Sequence, residues 1–461
     1  MDKHLLEQLW GALQGPDQAL DAVHFTGPAR GLPSVFEVSA LASASIAAAS
    51  LAVSELHALR TGGPLRSVSV DRAHADAAFA CERHVRALGW QLPEVWDPLA
   101  GDYSTRDGYI RLHTNYRHHK NPVLEVLGLS AEGATRERLA AAVATWEGEQ
   151  LEQQVVEAGG CAAKLRSPAQ WRAHAQGQAL SRAPLVDVCT QFADSGQRAL
   201  LPGDKPLSGV RVLDLTRVIA GPIGTRFLAA YGADVLRVDP PGFEEVGALL
   251  CEVTAGKRRC ALQLREAADR ARLQELVRAA HVIVHGYRSD ALPRLGLGND
   301  VLHQLNPAAV IVCHNAYGWT GPWALRRGFD SLVQMSCGIA WRGGEVTGKS
   351  NPVPLPAQAL DHATGYLIAA AAARGLTSLA RTGRASVQRL SLARTARLLM
   401  ELGDLGAIEG EAVQPKAAVM ELADTRMGRV HRVRCPGQIA GIEPEWAIPA
   451  GPLGVDPAQF A

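Results

Sequence analysis

Two kinds of side chain stand where chemistry could be done: cations that follow short apolar runs, and carboxylates that open helical ones. AGKRR at 255–259 sets Lys257, Arg258 and Arg259 behind a glycine. Such a turn either binds phosphates, with backbone approaching a ligand at Gly and cations supplying charge, or is simply solvated. HGYRSDALPRLGL at 285–297 follows the run HVIV and brings Arg288 and Arg294. Two basic loops behind neighbouring apolar runs strengthen the case for an anion site. Among the carboxylates, Asp330 opens DSLVQMSCG, as a catalytic group or as a helix cap. Asp361 opens the Ala-rich DHATGYLIAAAA, where a helix dipole favours an anion and lowers its pKa. Glu345 lies between them in EVTGKSNPVP. The histidines show no H-E-x-x-H spacing, and neither G-x-S-x-G nor a Walker loop occurs. No metal centre, α/β-hydrolase or P-loop NTPase is therefore expected.

The elements that must position these groups read as a parallel sheet. VRVLDL, ADVLRVD, HVIVHG and AAVIVCHN alternate with helical stretches from 210 onward, the pattern of a sheet covered by helices on both faces. The first unit, VRVLDLTRVIAGPIGTRFLAAYGADVLRVD, is strand, loop, helix, strand. Its loop reads R-V-I-A-G-P-I-G, not the G-x-G-x-x-G of a dinucleotide site. Upstream, DYSTRDGYIRLHTN is a hairpin signal with Asp107-Gly108 between alternating runs, and helical patterns follow it. The expected fold is α/β, a Rossmann-like doubly wound large domain plus a small α/β domain. The expected boundaries are 1–85 (a helix–strand segment completing the fold), 86–185 (small domain), 186–209 (a Pro-containing linker) and 210–461 (large domain with a closing tail).

The helix–strand segment looks like half of an internal repeat. HALRTGG and PLRSVSVDRAHA near the start match TSLARTGRASVQRLSLARTA near the end: an Ala-rich helix, R-T-G, a short strand, then a helical start. The first of these helices, SALASASIAAASLAVSELHAL at 39–59, is long enough to cross a membrane, but its serines, Glu55 and His57 mark it as a buried helix of small residues. Among 461 residues, 47 basic and 46 acidic side chains nearly cancel, which argues against nucleic acid or an anionic membrane as partner. Eight cysteines without paired spacing, and an N-terminus MDKHLLEQLW without an apolar core, point to a reduced, cytoplasmic setting with no signal peptide.

Taken together, LSGVRVLDLTRVIAGP, GADVLRVDPP, GKR, GYRSDALPRLGL and AYGWTGPWALRRGFDSLVQ resemble the family III CoA-transferases, the group that includes formyl-CoA transferase and α-methylacyl-CoA racemase. The resemblance implies that the sheet holds coenzyme A. It implies Val218, Ile219 and Ala220 around the adenosine, Arg237 near adenine and phosphates, and Lys257, Arg288 and Arg294 on the phosphates or pantetheine. It further implies acyl-CoA and carboxylic acid substrates, no prosthetic group and a homodimer. Domain order departs from the family: the small domain precedes the large one, as if permuted. The family's nucleophilic aspartate is expected in the stretch that reads EVTGKSNPVP here, which holds none; the racemase aspartate falls on Asp361 and its histidine on Phe329. The reading is CoA transfer between carboxylic acids through an acyl-enzyme and an enzyme thioester, with Asp361, Asp330 and Glu345 as candidate carboxylates. The alternatives are acyl-CoA racemisation and CoA binding without transfer.

Overall fold

Seven strands form the main sheet. In spatial order they are Lys257–Ala261, Asp234–Asp239, Arg211–Leu215, Val282–His285, Val310–Asn315, Ser386–Ser391 and Asp187–Gln191. The computed structural model describes all residues except 29, 30, 192–202, 411 and 413. The first six strands run parallel and the last antiparallel. Numbered along the chain, the parallel strands lie in the order 3-2-1-4-5-6, a doubly wound sheet. Val282, Ile283 and Val284 are all fully buried, because helices cover both faces and leave no polar side to alternate toward. Strand order reverses between Arg211–Leu215 and Val282–His285, and a crevice opens at the carboxyl ends there.

The span 186–209 is not linker throughout. Asp187–Gln191 pairs antiparallel with Ser386–Ser391 and becomes the sheet's edge. A bare parallel edge offers a row of unpaired backbone groups, and the short β-capable run DVCTQ takes them. The rest of that expected linker, 192–202, lies outside the described residues.

Two 24-residue helices, Val38–Thr61 and Ala359–Thr382, carry the repeat. Glu37 (φ −72°, ψ 55°) precedes the first and Gln358 (φ −74°, ψ 60°) the second; left-handed glycines, Gly62 and Gly383, end them. A strand follows each, Val68–Asp71 and Ser386–Ser391, and then a helix whose cap side chain, Asp71 or Ser391, accepts from the backbone N–H three residues on. The two long helices are each other's most extensive packing partners. Val38–Thr61 is apolar and long enough to span a bilayer, yet it is wholly buried inside the protein. Two of its buried serines satisfy their hydroxyls on backbone carbonyls, Ser45 on Ala42 and Ser54 on Arg66. The N-terminal segment also shares sheets with the C-terminal tail: Val68–Asp71 pairs with Gln438–Ile439, and Arg86–Ala87 with Gly428–Val433.

The hairpin Gly101–Thr105 and Gly108–Leu112 is joined by Ala162–Lys164 into a three-stranded antiparallel sheet. The register pairs Thr105 with Gly108, so the turn is Arg106-Asp107, one residue before the Asp-Gly expected from sequence. Asp107 fixes it by accepting from Gly148 N at 2.7 Å. Helices Arg117–Val126, Arg136–Val143 and Gly148–Glu157 close over a separate small core around Ile110, Leu112 and Leu139.

Candidate active site

The site begins where strand Arg211–Leu215 turns into helix Ala220–Ala230. Val218 sits at φ 65°, a region costly for a β-branched residue and one that persists only when neighbours over-determine it. They do: Val218 N donates to Glu245 at 3.2 Å, and Glu245 is gripped by Arg237 and by the Tyr116 hydroxyl, each at 2.8 Å. The glycines of this loop are required by packing. A Cβ on Gly221 would lie 2.3 Å from the Thr216 side chain. A Cβ on Gly224 would lie 2.5 Å from Gly365 O, and one on Gly365 2.6 Å from Ala220 O. This close crossing brings the start of Ala359–Thr382 against the Val218–Ala220 turn.

Two cavities open at this crossing. The larger, about 560 Å³, runs over the strand ends and is lined by Arg217, Val218, Ile219, Ala220, Tyr287 and Arg288, with Arg265, Arg326 and Arg327 also on its wall. The smaller, about 300 Å³, lies between the small α/β unit and the N-terminal segment and is lined by Glu82, Trp96, His113, Val246, Leu249 and Asp330. Tyr116, Val218, Ile219, Phe329 and Asp361 line both. Asp361 is thus at the junction, and its carboxyl accepts no hydrogen bond among the described residues.

Burial, then the charges of Asp330 and Glu82, push the Asp361 carboxyl well above the usual carboxylate range. This reverses the lowering expected from its helix N-terminus. The reason is in the N–H groups: Leu360 N and Asp361 N both donate to Asp330 Oδ2, at 2.8 and 3.0 Å. Asp330 thereby takes the end of the helix dipole and, though burial lifts it to about 6, it is the better placed of the coupled pair to hold a charge. Asp361 receives no donor and takes the proton.

The other expected residues divide. Val218, Ile219, Ala220 and Arg288 line the larger cavity. Arg237 and Lys257 do not. Arg237 is fully buried, bonded to Asp239 at 2.8 and 3.0 Å and to Glu245. Lys257 is fully buried between Asp214 (2.9 Å), Thr225 Oγ1 (2.7 Å) and Pro222 O (3.0 Å). Strand alternation turns both side chains into the sheet's packing layer, where each charge needs an internal partner. Arg294 projects to solvent, paired with Asp290 at 2.8 Å, and is absent from the cavity wall. Glu345 lies away from both cavities, half exposed and bonded to Arg342 on helix Ile339–Val346. Asp330 lines the smaller cavity and caps not its own helix, Asp330–Cys337, but the start of Ala359–Thr382, whose free N–H groups lie within its reach.

Residues 207–450 match the family described as CoA-transferase family III. The chain belongs to that family. An acetyl-coenzyme A transferase of Hypoxylon pulicicidum is 31% identical over 304 residues, 61% of this chain and 51% of that one. An acyl-CoA transferase of Gibberella moniliformis is 31% identical over 303 residues, 61% and 53%. A crystal structure of a hypothetical protein from Mycobacterium tuberculosis aligns with 30% identity over 43% of this chain and 58% of that one, at a TM-score of 0.39. The chain spans about half the length of the curated relatives it matches.

This CoA-transferase family III chain also places at the site residues that its sequence did not single out. Arg217, Arg265, Arg326 and Arg327 carry the positive charge of the larger cavity. Arg217 stacks 3.9 Å from the Phe243 ring centroid; Arg326 Nη2 bonds Ala162 O and Arg327 Nη1 bonds Gly159 O, tying the 316–328 loop to the small unit. Arg217 and the Arg326-Arg327 pair stand inside TRVIAGP and ALRRGFD, next to residues that were chosen. Tyr116 and His113 come from HTNYRHHK, whose density of rings was the available signal. His113 stacks on Phe329 with centroids 3.7 Å apart, and burial drops its pKa to about 3. Nothing local in sequence marks Glu82.

Proposed function

We propose that this protein transfers coenzyme A between carboxylic acids, with Asp361 as nucleophile. The observation that carries the reading is the unbonded Asp361 carboxyl at the one place where an arginine-lined cavity and a second, more apolar cavity meet. Coenzyme A, with a pyrophosphate and a 3′-phosphate, suits the larger cavity, where Arg217, Arg265, Arg288 and Arg327 supply charge-assisted bonds. The acyl group then enters the smaller cavity. Asp361 releases its proton to solvent and, as the carboxylate, attacks the thioester carbonyl; the Asp O–C bond forms and the C–S bond breaks, releasing CoA thiolate. The thiolate attacks the Asp361 carbonyl, giving an enzyme thioester and freeing the donor acid. The acceptor carboxylate attacks that thioester, and a last attack by the thiolate on the new anhydride returns acyl-CoA and the Asp361 carboxylate. No prosthetic group enters the scheme.

The test is incubation with a panel of acyl-CoAs and free acids, followed by mass analysis of products and of the Asp361 peptide. Wild type should exchange CoA and carry a CoA adduct at Asp361; Asp361→Asn should lose at least about 10²-fold in turnover with CoA affinity kept. Full activity in Asp361→Asn overturns the assignment. A second reading, proton exchange at the acyl α-carbon, is favoured by His113 sharing the smaller cavity with Asp361 and stacking on Phe329; deuterium uptake from heavy water without CoA exchange selects it. We further propose a homodimer in a reduced, cytoplasmic setting. All eight cysteines are free thiols, and sedimentation checks the dimer.

A further inference from the structure

Glu82 enters the site from the N-terminal segment, on the short helix Cys81–His84, outside the span 207–450 matched to the family. It lines the smaller cavity together with Asp361. Its side chain is 11% exposed, and Oε2 lies 3.1 Å from Nε2 of His362, the residue next to Asp361. His362 is fully buried, stacked on Phe79 with centroids 5.4 Å apart. Behind Glu82, Cys81 Sγ accepts from Arg226 at 3.6 Å, and Arg226 is itself bonded to Glu252. Cys81, Glu82 and His362 have ligand-type atoms within 4.8 Å of one another, but the Arg226 guanidinium against the sulfur opposes a divalent cation there.

We propose that Glu82 is a positioning residue for the transfer at Asp361, holding a second negative charge against the nucleophile so that acylation of Asp361, which removes one of the two charges, is favoured over the free carboxylate. The inference rests on the transferase reading above. Its physics is like-charge repulsion in a buried site: the resting enzyme relieves it by protonating Asp361, the ionised nucleophile carries the strain, and the acyl-enzyme or enzyme thioester, neutral at Asp361, does not. The groups facing Asp361 are Asp330 from helix Asp330–Cys337, Glu82 and Arg83 from the N-terminal segment, His113 and Tyr116 from the small unit, and His362 on its own helix. Asp330 is committed to the helix N–H groups and Gln334. Tyr116 is committed to Glu245. Burial keeps His113 neutral. Two carboxylates raise Asp361, Asp330 and Glu82; Asp330 is bound by the helix N–H groups, and Glu82, held by His362, is the one that lies on the acyl side outside that helix cap. The His362 contact holds Glu82 below the usual carboxylate range although burial would raise it.

The experiment compares Glu82→Gln and Glu82→Asp with wild type, using acetyl-CoA and succinyl-CoA as donors. The Gln variant keeps an acceptor for His362 and loses the charge; the Asp variant keeps the charge. Glu82→Gln should bind free CoA like wild type. Its trapped Asp361–CoA adduct should fall about tenfold and the acid limb of its kcat/KM profile should move about one pH unit lower, the shift equivalent to that tenfold change. Glu82→Asp should restore most of the adduct. Should Glu82→Gln fail to fold in thermal melts, Glu82→Ser, which leaves room for water beside His362, carries the same expectation. Unchanged adduct and acid limb in the neutral variants overturn the inference, as does equal loss in Glu82→Asp and Glu82→Gln, which would indicate packing and not charge. Absence of any adduct in wild type refutes the transferase reading itself, a distinguishable result.

Discussion

Lys257→Met should damage stability, not coenzyme A binding. Lys257 Nζ sits 2.9 Å from Asp214 Oδ2 with both side chains fully buried. Burial pulls the amine down to about 8, so it is still charged at pH 7, and Asp214, despite its own burial, is held below its usual range by Lys257. Removing one partner of a buried pair strands the other charge, at a cost of about 3–5 kcal/mol. Asp214 keeps three donors, Thr216 N at 3.0 Å, Thr225 Oγ1 at 2.7 Å and Thr216 Oγ1, which puts the loss at the lower end, about 3 kcal/mol. That is roughly a hundredfold in the folded-to-unfolded ratio. The double variant Lys257→Met/Asp214→Asn removes the stranded charge and should recover about half of the loss, on the order of 1–2 kcal/mol. Urea midpoints report stability and calorimetry reports CoA affinity on the same samples. A Lys257→Met protein with unchanged midpoint and tenfold weaker CoA binding would refute the structural placement and return Lys257 to the phosphates.

Arg217→Ala and Arg327→Ala should each weaken CoA roughly tenfold, since a charged hydrogen bond contributes about 1.5–3 kcal/mol, while Arg294→Ala, paired only with Asp290 at the surface, should leave calorimetric affinity unchanged. Gly365→Val should cost about 1–3 kcal/mol in urea melts by forcing the helices Ala220–Ala230 and Ala359–Thr382 apart, and should slow turnover by displacing Asp361. His113 and His119 stay neutral when folded, with pKa values pulled by burial to about 3 and about 2. The unfolded chain binds those protons near pH 6.5, so stability is fully present above that pH and falls as pH drops toward 3; His113→Phe, which keeps the stack on Phe329, should flatten the slope by up to about 1.4 kcal/mol per pH unit, as read from melts at pH 4 to 7.

The strand ends and the loop at Val218–Ala220 were legible because they rest on local rules. VRVLDL and HVIV are continuous apolar runs that only a sheet buried on both faces accepts, and the residues just after such strands line the crevice whatever else the chain does, as Val218–Ala220 and Arg288 do. The two R-T-G helix ends disclosed the repeat because capping is written within a few residues. Asp361 could be placed at a helix start by the same logic, but its protonation could not. That depends on whether Asp330, 31 residues away in sequence, intercepts the helix N–H groups first.

Whether a cation faces ligand or packing layer is likewise invisible in AGKRR and VLRVD, because it is fixed by which buried carboxylates, Asp214 for Lys257 and Asp239 and Glu245 for Arg237, the folded chain brings alongside. Glu345 and Glu82 changed places for a related reason: one is near the site in sequence and remote in space, the other nearly 280 residues from Asp361 along the chain and on the same cavity wall. By itself the sequence determined the doubly wound sheet, the strand-to-helix loop at its carboxyl end and the repeat, since periodicity and capping act over one or two turns of chain. The tertiary structure alone decided which charges are spent on each other and which face the cavity, since burial and pairing energies belong to contacts between distant segments and not to any stretch of sequence.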